Sequence, residues 1–198
     1  MTTTDIAREE SRGRRLSELD DAALAEAAKT ERAAFDLLYR RYARRVYGYC
    51  YSRTANGQVA EDLTAQTFLA ALEGIGRYRG EGSVAAWLFG IAANVCKGYH
   101  RYRQRHPQAP LAAAAGRPDG EAPDPEQRAH RQSILDCALR MIPLLSPDRQ
   151  EVLRLRFLAG LNTAETAEVM GRRRGTVRKL LSRALDDLRE RCLDETQE

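Results

Sequence analysis

The sequence predicts an all-α protein: two small helical domains joined by a flexible linker, the C-terminal one with a helix-turn-helix. Three observations predict it. Apolar residues recur at three- and four-residue steps through most of the chain, which is the period of a helix buried along one face. The stretch PQAPLAAAAGRPDGEAPDPE, residues 107–126, holds five of the seven prolines, four acids and almost nothing large and apolar, so it cannot offset its own ordering entropy. Gly171 lies between two helical patterns, with Ala167 four residues before it and Val177 six after, the spacing of a tight helix-helix turn. The chain of 198 residues then divides into an N-terminal extension (1–29), a first domain (30–106), the linker (107–124), a second domain (125–193) and a short tail (194–198).

In the first domain Phe35, Leu38, Tyr39, Tyr42, Val46 and Tyr49 share one helix face, and Arg40, Arg41, Arg44 and Arg45 take the other. Asn56-Gly57 breaks the pattern. A second helix follows from Val59 to Leu72, with Leu63, Phe68, Leu69 and Leu72 as its apolar set. Gly74, Gly76, Gly80 and Gly82 mark a loop, after which Ser83 caps a long third helix, AAWLFGIAANVCKGYHRYRQR. Trp87, Leu88, Ile91 and Val95 form its expected buried stripe.

The second domain starts with Asp124 as cap and Pro125 at the first helical position, before a helix carrying Leu135, Ala138, Leu139 and Ile142. Pro143 stops it. Ser146-Pro147-Asp148 repeats the start signal for a helix with Val152, Leu153, Leu155 and Phe157, ending before Gly160. Asn162 with Glu165 three positions on has capping-box spacing, worth about 1 kcal/mol at the N-cap. Gly171 ends that short helix, and Gly175 to Arg191 make the last.

Composition excludes several classes. At 43% hydrophobic and 30% charged the chain can bury a core. No run approaches the roughly 18 apolar residues of a membrane span, and MTTTDIAREESRGRRLSELDD has no signal-peptide pattern. No membrane insertion and a cytoplasmic location are therefore expected. Cys50, Cys96, Cys137 and Cys192 are scattered without a CxxC pair, so neither a zinc knuckle nor a disulfide framework is indicated, and reduced thiols are expected. His100, His106 and His130 lack metal-ligand spacing, and RGEGS lacks the Walker lysine, so no metal and no cofactor is expected. An enzyme acting on nucleic acid would need a carboxylate cluster or a nucleophile with its base, and neither is present in the pattern.

The net charge of +4 is mild, and its distribution is more telling. Lys97, Arg101, Arg103 and Arg105 fall in a segment without acids, interleaved with Tyr99, His100 and Tyr102. Aromatics beside cations suit unstacked bases. The stripe that Trp87 shares with Ile91 and Val95 favours core packing for that ring over base stacking. Arg172, Arg173, Arg174, Arg178, Lys179 and Arg183 form a second basic concentration after Gly171. Two basic patches suggest two contacts with one polyanion. A solvated basic helix in a bundle is the bland alternative for the second.

Taken in order, FDLLYRRY, AEDLTAQTFLAAL, RYRGEGSVAAWLFGIAANV, LLSPDRQEVLRLRFLAGLN and GTVRKLLSRALDDLRER resemble an extracytoplasmic-function sigma factor of the sigma-70 family. The resemblance spans roughly Thr30 to Cys192. It implies a subunit that binds core RNA polymerase, through the clamp helices of the largest subunit and through the beta subunit, and directs it to promoter DNA. Residues 30–106 would then be sigma region 2 and residues 125–193 region 4. The resemblance nominates Glu61, Asp62, Leu63, Gln66 and Phe68 for polymerase binding, and Tyr78, Arg79, Asn94, Lys97 and Arg101 for the minus-ten element and strand opening. For the minus-thirty-five element it nominates Arg174, Thr176, Arg178, Lys179, Ser182 and Arg183. It also implies an anti-sigma factor as partner, and a linker whose acids mimic a transcript near the active-site cleft; composition alone fits a solvated spacer equally well. The competing reading is a free-standing helix-turn-helix regulator acting without core polymerase, which leaves the acid-started second helix unexplained.

Overall fold

The computed structural model describes residues 15–106, 137 and 140–194. The chain forms two units, Met1–Ala113 and Ala114–Glu198. The described elements are helical.

The first unit begins inside what the sequence presents as an extension. Helix α1, Asp21–Ala27, is capped by Asp20, whose carboxylate accepts from the Ala23 amide at 2.8 Å, and it buries Leu24 and Ala25. Arg41, on helix α2 (Arg32–Thr54), reaches back to clamp this segment. Its guanidinium donates to the Asp21 carboxylate at 2.8 Å and to the carbonyls of Ser17 and Leu19 at 3.0 and 2.8 Å, while the Tyr42 hydroxyl donates to Asp21. An arginine expected on the solvent face thus ties down the N-terminal segment with charge-assisted bonds.

Helix α2 buries Phe35, Leu38, Tyr42, Val46 and Tyr49 as its period predicts, but Tyr39 is exposed. Ala55 adopts the left-handed conformation at φ 51°, and Asn56 caps the next helix by accepting from the Val59 amide at 3.0 Å. Helix α3, Gly57–Gly74, packs against α2 and the later helix of this unit, and buries Leu63, Phe68 and Ala71. Its buried Thr64 and Thr67 donate back to the carbonyls of Ala60 and Leu63, both at 2.7 Å, which satisfies hydroxyls that would otherwise be costly to bury.

A 3-10 turn, Ile75–Arg77, leads into the glycine loop, where Gly80 and Gly82 take φ 72° and 79°. Ser83 then caps helix α4, Val84–Arg105, accepting from the Ala86 amide at 3.0 Å. Here the expected stripe is corrected. Leu88 is buried, but Trp87, Ile91 and Val95 are only half-buried, and the seam is Ala85, Leu88, Phe89, Ala92, Ala93 and Cys96. The small residues let α4 approach its neighbours closely, and Phe89 meets Tyr49 edge to face at 5.7 Å.

In the second unit Cys137 and residues 140–141 are helical, and a 3-10 turn, Ile142–Leu144, carries Pro143. The expected start at Asp124-Pro125, and Leu135, Ala138 and Leu139, lie outside the described residues. Helix α5, Pro147–Leu153, has proline at its first position, where the missing N–H is no loss. It runs into a π-helical turn, Arg154–Leu158, closed by the Ala159 amide on the Arg154 carbonyl at 2.9 Å. That wider turn changes which residues face inward, so Leu155 stays buried while Phe157, expected in the core, is exposed.

Helix α6, Thr163–Met170, opens with the complete capping box. Asn162 accepts from the Ala164 and Glu165 amides at 2.8 and 3.0 Å, and Glu165 accepts from the Asn162 amide at 2.7 Å. Gly171 at φ 61° makes the turn into helix α7, Arg174–Asp194. Val152, Ala167 and Val177 form one core cluster, with Leu180 packed against it as the spacing around Gly171 predicts. Leu145, Leu153 and Ala184 form another, flanked by Ile142, Leu181 and Leu188.

The expectation of four reduced thiols is corrected. Cys137 and Cys192 are joined in a disulfide, 55 residues apart in the chain. No sequence pattern marks such a pair, because the connection is made by folding two distant helical segments together. Cys50 and Cys96 are buried thiols outside any disulfide, with their sulfurs 3.8 Å apart.

Candidate nucleic-acid interface

Helix α3 separates its nominated residues into two classes. Glu61, Asp62 and Gln66 are exposed, whereas Leu63 and Phe68 are buried. A side chain already packed in the unit's own core holds the helix in place, whereas the exposed trio is open to solvent. Beside it runs a groove of about 450 Å³ between α2 and α3, with Tyr39, Arg44, Tyr47, Glu61 and Phe68 on its walls. The Tyr39 ring stands edge to face on Phe68 at 4.7 Å. Leu69 (58% exposed) and Leu72 (42%) continue an uncovered apolar strip along α3. The helical period places Tyr39, Leu69 and Leu72 on the apolar faces of their helices, and the signal that distinguishes them from the buried set is tertiary.

In the glycine loop Tyr78 is buried. Its ring lies 5.1 Å from Trp87, and its hydroxyl donates to the Gly82 carbonyl at 3.3 Å, so it fastens the loop onto the start of α4. Arg79 is exposed on that fastened loop. Asn94, Lys97 and Arg101 are exposed along α4 at three- and four-residue steps, which places them on one face. The residues from Gly82 to His106 include no acid, so nothing on the helix itself neutralises those cations. At its end Tyr102 is exposed and stacks on His106 with ring centres 4.5 Å apart.

On α7 the six nominated residues, Arg174, Thr176, Arg178, Lys179, Ser182 and Arg183, are all exposed, while Val177 among them and Ala184 just after them are buried. The buried pair anchors the helix on α5 and α6 and turns the cationic face outward. Among the described residues none of Arg174, Arg178, Lys179 and Arg183 forms an ion pair. Their neighbours are engaged: Arg172 pairs with Asp148 at 3.1 Å, Arg149 pairs with Asp187, and Ser182 donates to Asp186 at 3.3 Å. A helix N-terminus with unpaired cations suits a phosphate backbone, and forked guanidinium groups suit guanine edges.

Among the described residues no group of His, Cys, Asp and Glu is arranged to hold a metal, and no helix is long and apolar enough to cross a membrane.

Residues 38–106 match the family model for Sigma-70 region 2, and residues 135–188 match that for Sigma-70 region 4. The chain is 36% identical over 166 residues to the ECF RNA polymerase sigma factor BldN of Streptomyces coelicolor, covering 80% of this chain and 60% of BldN. It is 33% identical over 158 residues to the RNA polymerase sigma factor CarQ of Myxococcus xanthus, covering 79% of this chain and 88% of CarQ. In fold it resembles the sigma factor RpoE of Bartonella quintana, solved with the anti-sigma factor NepR, at a TM-score of 0.64 and 21% identity over 81% of this chain and 96% of that one.

Proposed function

The chain belongs to the extracytoplasmic-function branch of the sigma-70 family, and from that membership we infer that it binds core RNA polymerase and directs promoter-specific initiation. The observation that carries the reading is that two separate units, matching regions 2 and 4 in order, each present an exposed cationic helix face. In this scheme α7 holds the minus-thirty-five element in the major groove, with Arg and Lys reading base edges or phosphates. The α4 face, with Arg79 from the loop, takes the minus-ten element. There Asn94 and Lys97 meet the strand whose base leaves the stack, at an unstacking cost of a few kcal/mol. The chain does no chemistry of its own; it lowers the cost of opening by binding the opened strand. Promoter binding in the company of polymerase places it in the cytoplasm.

Glu61, Asp62 and Gln66 form the polymerase contact in this reading, with the groove and Leu69 beside them supplying apolar area. An anti-sigma partner is part of the same reading, supported by the complex in which the RpoE fold was solved. A free-standing operator binder would need only the second unit and leaves the region 2 match without a purpose.

Run-off transcription with core polymerase on a genomic promoter library tests the function directly. Start sites that depend on added chain are expected, and their absence, with no co-purification of core subunits, overturns the reading. Reversing charge with Glu61→Arg and Asp62→Arg should weaken co-purification while leaving the fold intact, since both side chains are exposed.

A further inference from the structure

The second unit contains a covalent link that promoter reading does not require. Cys137 and Cys192 are 3% and 6% exposed, so the bond is buried, and it fastens the segment entering the unit to the last turn of α7. The two core clusters hold α5, α6 and α7 together at Val177, Ala184 and Leu188. Beyond Leu188, Cys192 is the buried position on α7 among the residues whose burial is described. The disulfide is therefore what secures the far end of the recognition helix.

We propose that Cys137 and Cys192 are a reversible dithiol–disulfide pair that controls whether the second unit stays folded around its recognition helix, and with it the unit's grip on DNA. The effect on DNA and the cytoplasmic setting rest on the sigma-factor reading; the redox and folding effects measured on the chain itself do not.

Magnitudes support a switch rather than a mere staple. Closing a loop of 55 residues constrains the unfolded chain enough to shift the folded-to-unfolded ratio by roughly a thousandfold. A unit this small, with its core in two clusters, has a total stability of similar order with the link in place. Opening the bond brings the unit close to balance, and apparent affinity for DNA falls in proportion to the fraction that remains folded. Compartment adds to the argument. In the cytoplasm thiols are kept reduced, and disulfides that do form there are mostly transient redox devices.

The chemistry balances with a small thiol as reductant. Its thiolate attacks one sulfur, the Cys137–Cys192 bond breaks, and a mixed disulfide forms with release of one protein thiol. A second small thiol resolves it, leaving two cysteine thiols and one small-molecule disulfide, with two electrons and two protons transferred. A small-molecule disulfide runs the sequence backwards. Because both sulfurs are buried, attack requires the end of α7 to open, which a helix terminus does readily.

The first unit supplies an internal control. Cys50 and Cys96 also face each other, but both are fully buried. The hydrogen bond with Cys96, together with burial, pushes the Cys50 thiol far above its ordinary range, so it has almost no reactive thiolate.

The full chain is equilibrated in glutathione buffers of graded ratio, without denaturant, and alkylated before peptide mass spectrometry. Thermal unfolding and binding to the upstream element are followed in parallel. Cys137 and Cys192 are expected to pass together from unmodified to alkylated as the buffer becomes more reducing, with Cys50 and Cys96 protected throughout. Reduction should lower the unfolding midpoint of the second unit and weaken upstream-element binding by about threefold or more, and reoxidation should restore both. The variant Cys137→Ser with Cys192→Ser should behave like reduced wild type and ignore the buffer. Wild-type reversal alone decides the matter if that variant does not fold. Unchanged midpoints between oxidised and reduced protein, or alkylation of either cysteine in every buffer, overturn the proposal. A midpoint that responds to redox in a protein that binds no promoter would instead sink the sigma-factor reading and leave the pair standing.

Discussion

Arg178 and Arg183 illustrate how two residues of one type on one helix come to differ. Both are exposed on α7, and five positions separate them, so they diverge by about 140° around the axis. They cannot address the same part of a duplex. In the proposed docking Arg178 is nearer the N-terminal end that would enter the major groove, and we propose a base edge for it and a phosphate for Arg183. Arg178→Ala should then cost about 1–3 kcal/mol on the cognate upstream element and relax discrimination at one base pair. Arg183→Ala should weaken all sequences alike and lower the salt slope by about one. Binding to a panel of single-base variants at several salt concentrations separates them. Uniform loss for Arg178→Ala, with discrimination intact, would overturn the assignment.

At the scale of elements, helix ends were readable in the sequence and helix faces only partly. Ser83 and Asn162 cap where their side chains suggest, because a cap is a local hydrogen bond decided within three residues, and Asn56, expected only as a break, caps as well and starts its helix two residues before Val59. Faces depend on what else is nearby. On α4 the apolar residues Trp87, Ile91 and Val95 compete with Phe89, Ala92 and Cys96 for the inside, and close approach to α2 and α3 selects the smaller set. Leu69 and Leu72 follow the helical period yet are exposed, since periodicity reveals an apolar stripe without revealing whose surface covers it. The cationic face of α4 was legible for a related reason: a run without acids is a property of the text. Its role is tested by replacing Asn94 and Lys97 together with Ala. Formation of the open complex on duplex promoter should suffer far more than binding to a fork already melted, because only the duplex requires unstacking, at a few kcal/mol. Equal losses on both templates would reduce the face to phosphate contacts.

On the scale of the whole molecule, two units in one chain can hold two elements of one duplex, so that the second contact forms at an effective concentration of roughly millimolar. The sequence announces this division through its prolines, whereas the Cys137–Cys192 link stays hidden because pairing across 55 residues leaves no local trace. If each unit reads its own element, their contributions to binding free energy should be independent. In holoenzyme, Arg178→Ala and Asn94→Ala lie in separate units and should combine additively to within about 0.5 kcal/mol. Arg178→Ala combined with a change of the base pair it reads should not, because the second change removes a contact already lost; a coupling of about 0.5–3 kcal/mol is expected there. Promoter affinities for the single and paired changes measure both cycles. Strong coupling between Arg178 and Asn94 would mean that the two units act as one reader, and would replace the tethered-pair scheme with a single composite surface.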